Sequence, residues 1–347
     1  MTDYEKICDF QNLYHAHKEA RCGKRHKKDV VEFENNLSQN LWTIKTSLEN
    51  ESYKIAGYNK FLIFEPKERE IQALSYYDRI VQHVLCKHVL RPTMDKKLIY
   101  DNSACRIGKG THFAINRLSK FFHLYYKTYS SSGYILKCDI HKYFPSINHT
   151  ILKQKISGIF DDKKILSLLF YIIDSFENTP DFGLPMGNQS SQLFALYYLD
   201  EIDRIIKEKF KFKFYTRYMD DMIILHPDKL YLKECLNYIS YVLENKLKLK
   251  LNDKTQIFPI QNGVDFLGFH FYLASNGKII RKLRNTTKTR FKKRLKALSY
   301  LYSNNKISLE KINQSLASYK GHLCHGHTYK LRKHLLEDFI LLKRSGQ

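Results

Sequence analysis

The stretch YTRYMDDMIIL, residues 215–225, sets two adjacent carboxylates, Asp220 and Asp221, inside a run that is otherwise apolar and aromatic. A buried carboxylate is costly unless it is paired, hydrogen-bonded or bound to a metal ion. Residues 213–226 read as a β-hairpin with its tight turn at Met219-Asp220. The hairpin then carries its negative charge at the turn, and some other part of the chain must meet it.

Composition narrows what that part serves. The chain has 347 residues, 43% of them hydrophobic, enough for a large core divided among two or three subdomains. Its formal net charge is +23, which speaks to partners rather than to fold. A polyanion is the expected partner, nucleic acid first. The 25 Tyr and 22 Phe can stack on bases, although most are expected to fill the core. Seven cysteines occur singly, with no CxxC pair, so neither a zinc site nor a disulfide framework is expected. They read as reduced thiols in a cytoplasmic protein. MTDYEKICDF lacks the apolar core of a signal peptide. The longest apolar runs, such as ILSLLFYII (165–173), are too short to span a bilayer, so no membrane partner is expected.

Helical spacing predicts two helices in residues 1–50 around the basic turn RCGKRHKK (21–28). FLIFEPKEREI (61–71) reads as a strand pair broken at Pro66, and YYDRIVQHVLCKHVL (76–90) as a helix ending before Pro92. GYILKCDI (133–140) is a short buried strand. GLPMGN (183–188) is a punctuated loop leading into a long helix. Short strands follow an amphipathic helix at 231–249, the last pair turning at Asn276-Gly277. From about 281 the chain turns strongly basic and helical.

Three pieces carry chemistry together. LKCDIHKYF ends a strand in Asp139, GLPMGNQSSQ opens a helix from a glycine-bracketed loop, and the hairpin supplies Asp220 and Asp221. Taken singly, each has a plain reading: a helix cap, a surface loop, a polar turn. If the strands of Asp139 and Asp220 are neighbours, the carboxylates meet at one sheet edge and repel unless a cation lies between them. Carboxylate oxygens with substrate phosphates suit Mg²⁺, and two such ions suit an in-line phosphoryl transfer.

The ordered set resembles the reverse transcriptases over nearly the whole chain. PKEREI (66–71) and SACRIGKGTH (103–112) look like fingers motifs, LKCDIHKYFPSINH and YTRYMDD like the metal-binding palm strand and catalytic hairpin. GLPMGNQSSQLFALYYLDEID is similar to the palm motif between them. LKLNDKTQI and VDFLGFHF resemble the last palm motifs, the second being the primer grip with Gly268. The implied fold is α+β: a right-hand polymerase with a mainly antiparallel palm sheet. N-terminal helices and fingers would occupy 1–132, the palm 133–280 with a fingers segment at about 150–182, and a helical basic thumb 281–347. The form Met186-Gly187-Asn188 with Ser191-Gln192, the segments HKEARCGKRHKK and DNSACRIGKGTH, and SYKGHLCHGHTYKL are similar to enzymes of diversity-generating retroelements. Those enzymes copy a template RNA and misincorporate at adenines. Group II intron and defence-associated reverse transcriptases are relatives of that type.

The resemblance implies roles. Asp139 and Asp220 would be metal ligands, Asp221 a third and weaker one, and Ile140 would lend its backbone carbonyl to two Mg²⁺ ions, with Mn²⁺ as a substitute. Lys67 and Arg69 would clamp the triphosphate, Phe144 would exclude a 2′-hydroxyl, and Met186, Gly187 and Asn188 would lie against the nascent base pair. Lys254 would protonate the leaving pyrophosphate. Arg106, Lys109 and Gln192 would touch template or nucleotide. Arg281, Lys282, Arg284 and Arg290 would track the phosphates of the RNA–DNA duplex. His322, His325 and His327 cluster, but no Cys or acid completes a ligand set around them.

The expected reaction is RNA-directed DNA synthesis from dNTPs, working with a dedicated non-coding RNA and an accessory protein or second subunit. No RNase H, endonuclease or maturase domain is expected. One rival keeps the enzyme and moves it to antiphage defence. Another, a silent RNA-binding scaffold, predicts loss of the carboxylates, and Asp139, Asp220 and Asp221 are all present.

Overall fold

The computed structural model describes residues 1–64, 68–176 and 180–343. Four helices open it: α1 (Asp3–Cys8), α2 (Phe10–Ala20), α3 (Lys28–Asn35) and α4 (Leu37–Glu49). Two helices were expected here, and each is divided by a polar residue. Asp9 leaves α1 extended and caps α2, its carboxylate accepting from the Asn12 N–H at 2.8 Å. Asn36 separates α3 from α4 at φ −127°. Strands β1 (Tyr58–Ile63) and β2 (Arg69–Leu74) form the expected antiparallel hairpin. The helix after it, α5 (Tyr76–Leu85), does not stop at Pro92. A π turn at Cys86–Leu90 carries it into α6 (Arg91–Lys97), where proline sits in the first turn and removes no needed donor. Helix α7 (Thr111–Tyr129) then leads to the central strand, β3 (Tyr134–Cys138).

Helices α8 (Tyr143–Ser146), α9 (His149–Ser157) and α10 (Lys163–Asp174) follow. Then come α11 (Gln189–Tyr198), α12 (Asp200–Arg204) and a π turn, Ile205–Lys209. The hairpin is β4 (Tyr215–Tyr218) and β5 (Asp221–His226), followed by α13 (Lys229–Asn245) and β6 (Gln256–Pro259). These strands make a four-stranded antiparallel sheet in the order β4-β5-β3-β6. A second sheet holds β7 (Val264–Phe266), β8 (Phe269–Leu273) and β9 (Ile279–Leu283). Three basic helices close the described chain: α14 (Asn285–Ser303), α15 (Leu309–Leu323) and α16 (Tyr329–Glu337).

The four-stranded sheet is buried on both faces, which explains its continuous apolar runs. Leu136, Cys138, Met222 and Ile224 face a core shared with the N-terminal helices, α11 and α13. Ile135, Ile223 and Leu225 face a second core with α7, the three-stranded sheet and the last three helices. The two-residue period of the strands divides the chain's hydrophobic mass in this way. Helix α7, which lies within the segment expected to be fingers, packs in this second core. Among the described residues no helix is long and apolar enough to cross a membrane.

Candidate active site

Strand register brings the predicted carboxylates together. The last paired residues of β3 and β5 are Cys138 and Met222, so one further step sets Asp139 opposite Asp221. Directly opposed residues on an antiparallel pair share a face, with Cβ atoms about 5 Å apart. Asp220 occupies the two-residue turn immediately before β5, closed by the pairing of Tyr218 with Asp221. Asp139 is gripped from its other side. Its carbonyl accepts from the Asn252 N–H at 2.7 Å, and its own N–H donates to Thr255 Oγ1 at 3.3 Å. Ile140 is buried and bridges to Leu251, which continues the same grip.

Electrostatics marks Asp220 and Asp221 as carboxylates held against burial. Burial pushes the Asp221 carboxyl up to about 7, with Asp139 and Asp220 adding to the rise and Lys137 opposing it. Burial also raises Asp220. Its own backbone N–H opposes the rise, Asp139 adds to it, and Arg69 and Arg217 work against it. Lys137 Nζ lies 3.6 Å from Asp221 Oδ1 and donates to the Asp265 carbonyl at 2.6 Å. Asp221 Oδ1 is nevertheless buried without a hydrogen-bond partner. An orphaned carboxylate oxygen beside two further carboxylates fits a divalent cation. Among the described residues no three His, Cys, Asp or Glu side chains already converge as a closed ligand set. The arrangement suits an ion whose remaining ligands come from substrate phosphates.

The glycine loop docks beside this edge. Phe144 is half-buried against Tyr143, and its carbonyl accepts from the Leu184 N–H at 3.0 Å. The Met186 carbonyl accepts from the Gln72 N–H at 3.1 Å, tying the loop to β2. Gly187 has φ 139°, where a side chain is strained, and a Cβ there would crowd the Gln72 carbonyl oxygen at 3.0 Å. Gln192 is half-buried on the first turn of α11. Arg69, exposed at the start of β2, is near enough to act on the charge of Asp220. Its expected partner Lys67 lies outside the described residues. Lys254 is exposed on the loop that grips Asp139.

Several predicted contacts are turned inward. Arg106 donates to the carbonyls of Asp95, Ile99 and Asn102 and to the Asp95 carboxylate, so its guanidinium is occupied by α6 and by its own loop. Lys109 donates to the Tyr100 carbonyl and lies 4.2 Å from the centre of the Tyr100 ring. Burial lowers its amine to about 8. Asn188 is buried and donates to the Tyr58 hydroxyl at 3.4 Å, rather than opening toward a base pair. Arg281 donates to Asn116 Oδ1 at 3.2 Å, and Arg284 pairs with Asp265 at 2.9 Å. Arg281 lies within β9 and Arg284 just after it, both ahead of α14. Gly268 turns at φ 90° against the His322 ring. Lys282 is exposed over Tyr272, and Arg290 is exposed on α14. The histidines pack as rings: His325 stacks on His112 at 3.7 Å and His322 lies 4.9 Å from Phe269.

Sequence reasoning missed Lys137 and the buried pair Arg217 and Asp203. A lone lysine or arginine inside an apolar strand was the available signal, because a buried charge requires a partner.

The profile of the family described as reverse transcriptase (RNA-dependent DNA polymerase) matches residues 65–271, and this chain belongs to that family. Over 241 residues it is 25% identical to a putative COX1/OXI3 intron 2 protein of Saccharomyces cerevisiae. The match covers 50% of this chain and 28% of the yeast protein. Among solved structures it is similar to apo telomerase from Candida tropicalis, with a TM-score of 0.50 and 16% identity. That likeness covers 82% of this chain and 60% of the other, and it shows the right-hand polymerase fold. A telomerase from Candida albicans solved with a telomeric RNA fragment is 15% identical at a TM-score of 0.49, over 76% of this chain and 54% of that one.

Proposed function

We propose that this chain is an RNA-directed DNA polymerase, in which a primer 3′-hydroxyl attacks the α-phosphate of a dNTP and pyrophosphate leaves. The observation that carries this reading is the juxtaposition of Asp139 with Asp221 across one ladder, Asp220 in the adjoining turn, and an unsatisfied oxygen among them. Two Mg²⁺ ions, or Mn²⁺ in their place, would stabilise the attacking and leaving oxygens when bound. Asp139 and Asp220 would hold them, with the Ile140 carbonyl beside Asp139. Asp221, whose unpartnered Oδ1 lies 3.6 Å from Lys137 Nζ, would be a third and weaker ligand. Arg69 and Lys67 orient the triphosphate, Phe144 crowds a 2′-hydroxyl, and Lys254 supplies a proton to the departing pyrophosphate. Met186 and Gly187 set the loop against the nascent pair, and Gln192 faces the template. The exposed cations of α14 hold the RNA–DNA duplex by its phosphates.

The finer reading is a diversity-generating retroelement enzyme that errs at adenines, resting on the motif form around Met186-Gly187-Asn188 and Ser191-Gln192. It would act in the cytoplasm with a dedicated non-coding RNA and an accessory protein or second subunit. Antiphage defence is the competing role for the same chemistry. The test is primer extension on RNA with Mg²⁺, comparing wild type with Asp220→Ala/Asp221→Ala. Loss of extension in the variant is expected, and equal extension would return the chain to the class of silent RNA-binding scaffolds. Sequencing the cDNA made on the co-purified RNA then separates the two roles. Errors concentrated at adenine fit diversification, and faithful copying overturns it.

A further inference from the structure

Arg217 stands three residues before Asp220 and is fully buried, one of the largest side chains to be so among the described residues. Its guanidinium makes four hydrogen bonds. Nε and Nη2 donate to the two oxygens of Asp203, at 2.8 and 2.6 Å. Nη2 also donates to the Leu196 carbonyl at 3.0 Å, at the end of α11. Nη1 donates to the Met219 carbonyl at 2.9 Å. Asp203, equally buried, further accepts from the Tyr215 hydroxyl at 2.5 Å. The backbone of Arg217 is held as well: its N–H donates to the Asp101 carbonyl and its carbonyl accepts from the Ser103 N–H.

The Met219 bond is the informative one. Met219 is the first turn residue and holds a left-handed φ of 55°, which costs a non-glycine residue free energy. A turn of that shape persists only where its surroundings over-determine it. The Met219 carbonyl belongs to the peptide that joins Met219 to Asp220, so a donor on it fixes the plane from which the Asp220 side chain departs. That donor is anchored by a bidentate ion pair to α12 and by α11, the helix that opens from the GLPMGN loop. The nucleotide-side loop and the carboxylate turn are therefore referred to one buried group.

We propose that Arg217 is a positioning residue for the reaction, setting the Met219-Asp220 turn against Asp139 through the Met219 carbonyl, with Asp203 as its anchor. The inference rests on the polymerase reading of Asp139 and Asp220. It assigns Arg217 no contact with substrate. A misplacement of about 1 Å at a reacting centre costs on the order of 10²-fold in rate.

The test uses the full chain with an annealed RNA template and DNA primer, measuring single-turnover dNTP incorporation, duplex affinity, Mg²⁺ dependence and thermal unfolding. Arg217→Met/Asp203→Asn removes the donor without leaving either charge buried alone, so folding is protected. Arg217→Lys keeps an ion pair with Asp203 but cannot also reach the Met219 carbonyl. Both are expected to bind duplex and dNTP as wild type does, to lose roughly 10²-fold in incorporation rate, and to require more Mg²⁺. Either variant incorporating at the wild-type rate overturns the proposal, and so does a rate loss matched by equal loss of duplex binding. If the double variant unfolds, Arg217→Lys decides alone on the same readouts. An Asp220→Ala control as active as wild type would instead remove the polymerase reading, a result no Arg217 variant can mimic.

Discussion

The carboxylate hairpin and the first C-terminal helix both concentrate charge, and they treat it in opposite ways. In the hairpin, Arg217 is buried with four hydrogen bonds and a carboxylate partner. On α14, the buried stripe is Phe291, Leu295 and Leu298, while Arg290, Lys292, Lys293, Arg294 and Lys296 stand in solvent. No ion pair among the described residues involves those five. A charge that has found its partner inside the protein fixes geometry. A charge left without one is available to a ligand. The strong positive balance of the chain is thus two populations, and only one of them can bind nucleic acid.

The comparison can be broken most severely at the hairpin. Replacing Asp139 or Asp220 by Ala is expected to lower single-turnover incorporation on the order of 10³-fold or more, because preorganised charge at the reacting centre is removed. Thermal melting of the metal-free protein should hold or rise, since like charges are relieved. A parallel loss of folding would mean that these acids are structural. Next in size, Asp203→Ala leaves Arg217 buried without its carboxylate and is expected to cost about 3–5 kcal/mol of stability. Denaturant unfolding measures it, and a loss below about 1 kcal/mol would show that the pair is not confined.

At the helix the expected effects are smaller and depend on salt. Replacing Arg290, Lys292 and Lys296 together by Ala should reduce the slope of log affinity for duplex against log salt by about 2–3. Replacing Arg106, whose donors are taken by its own chain, should leave that slope unchanged, though it costs stability. A slope equally sensitive to both replacements would erase the distinction between the two populations.

The smallest effect is a pH dependence. Burial raises Asp221 from 3.8 to about 7 in the folded protein. The folded state therefore binds the proton more tightly than the unfolded one. That contribution to stability is fully present below about pH 4 and is lost as pH rises through about 7. In chelator, Asp221→Asn should melt higher than wild type at pH 8 and show no such gain at pH 4. The opposite order would mean that Lys137 dominates the site.

Much of the hairpin was legible because its causes are local. Apolar strands either side of a polar turn predict the element, and two adjacent acids in it predict a cation. The fold class came from the resemblance to reverse transcriptases that the order of Asp139, the glycine loop and YMDD carries, not from any local pattern. The errors have non-local causes. Pro92 was read as a helix end, yet a π turn just before it lets the helix pass. Arg106 is expected from the resemblance to touch template or nucleotide, while the folded chain brings Asp95 of α6 and the carbonyls of Ile99 and Asn102 onto its donors. Arg281 and Arg284 were counted with the helix that follows, but β9 runs on to Leu283 and ties them to α7 and β7.

Sequence by itself determined the identities that chemistry needs: three carboxylates, a glycine where backbone approaches backbone, and a surplus of cations. It could not determine which charges face one another. Asp139 meets Asp221 through strand register across a long stretch of chain, and Arg217 meets Asp203 through the packing of β4 against the helix before it. Burial and pairing are properties of contacts between distant segments, so only the tertiary structure decides whether a given charge holds the site or waits for a ligand.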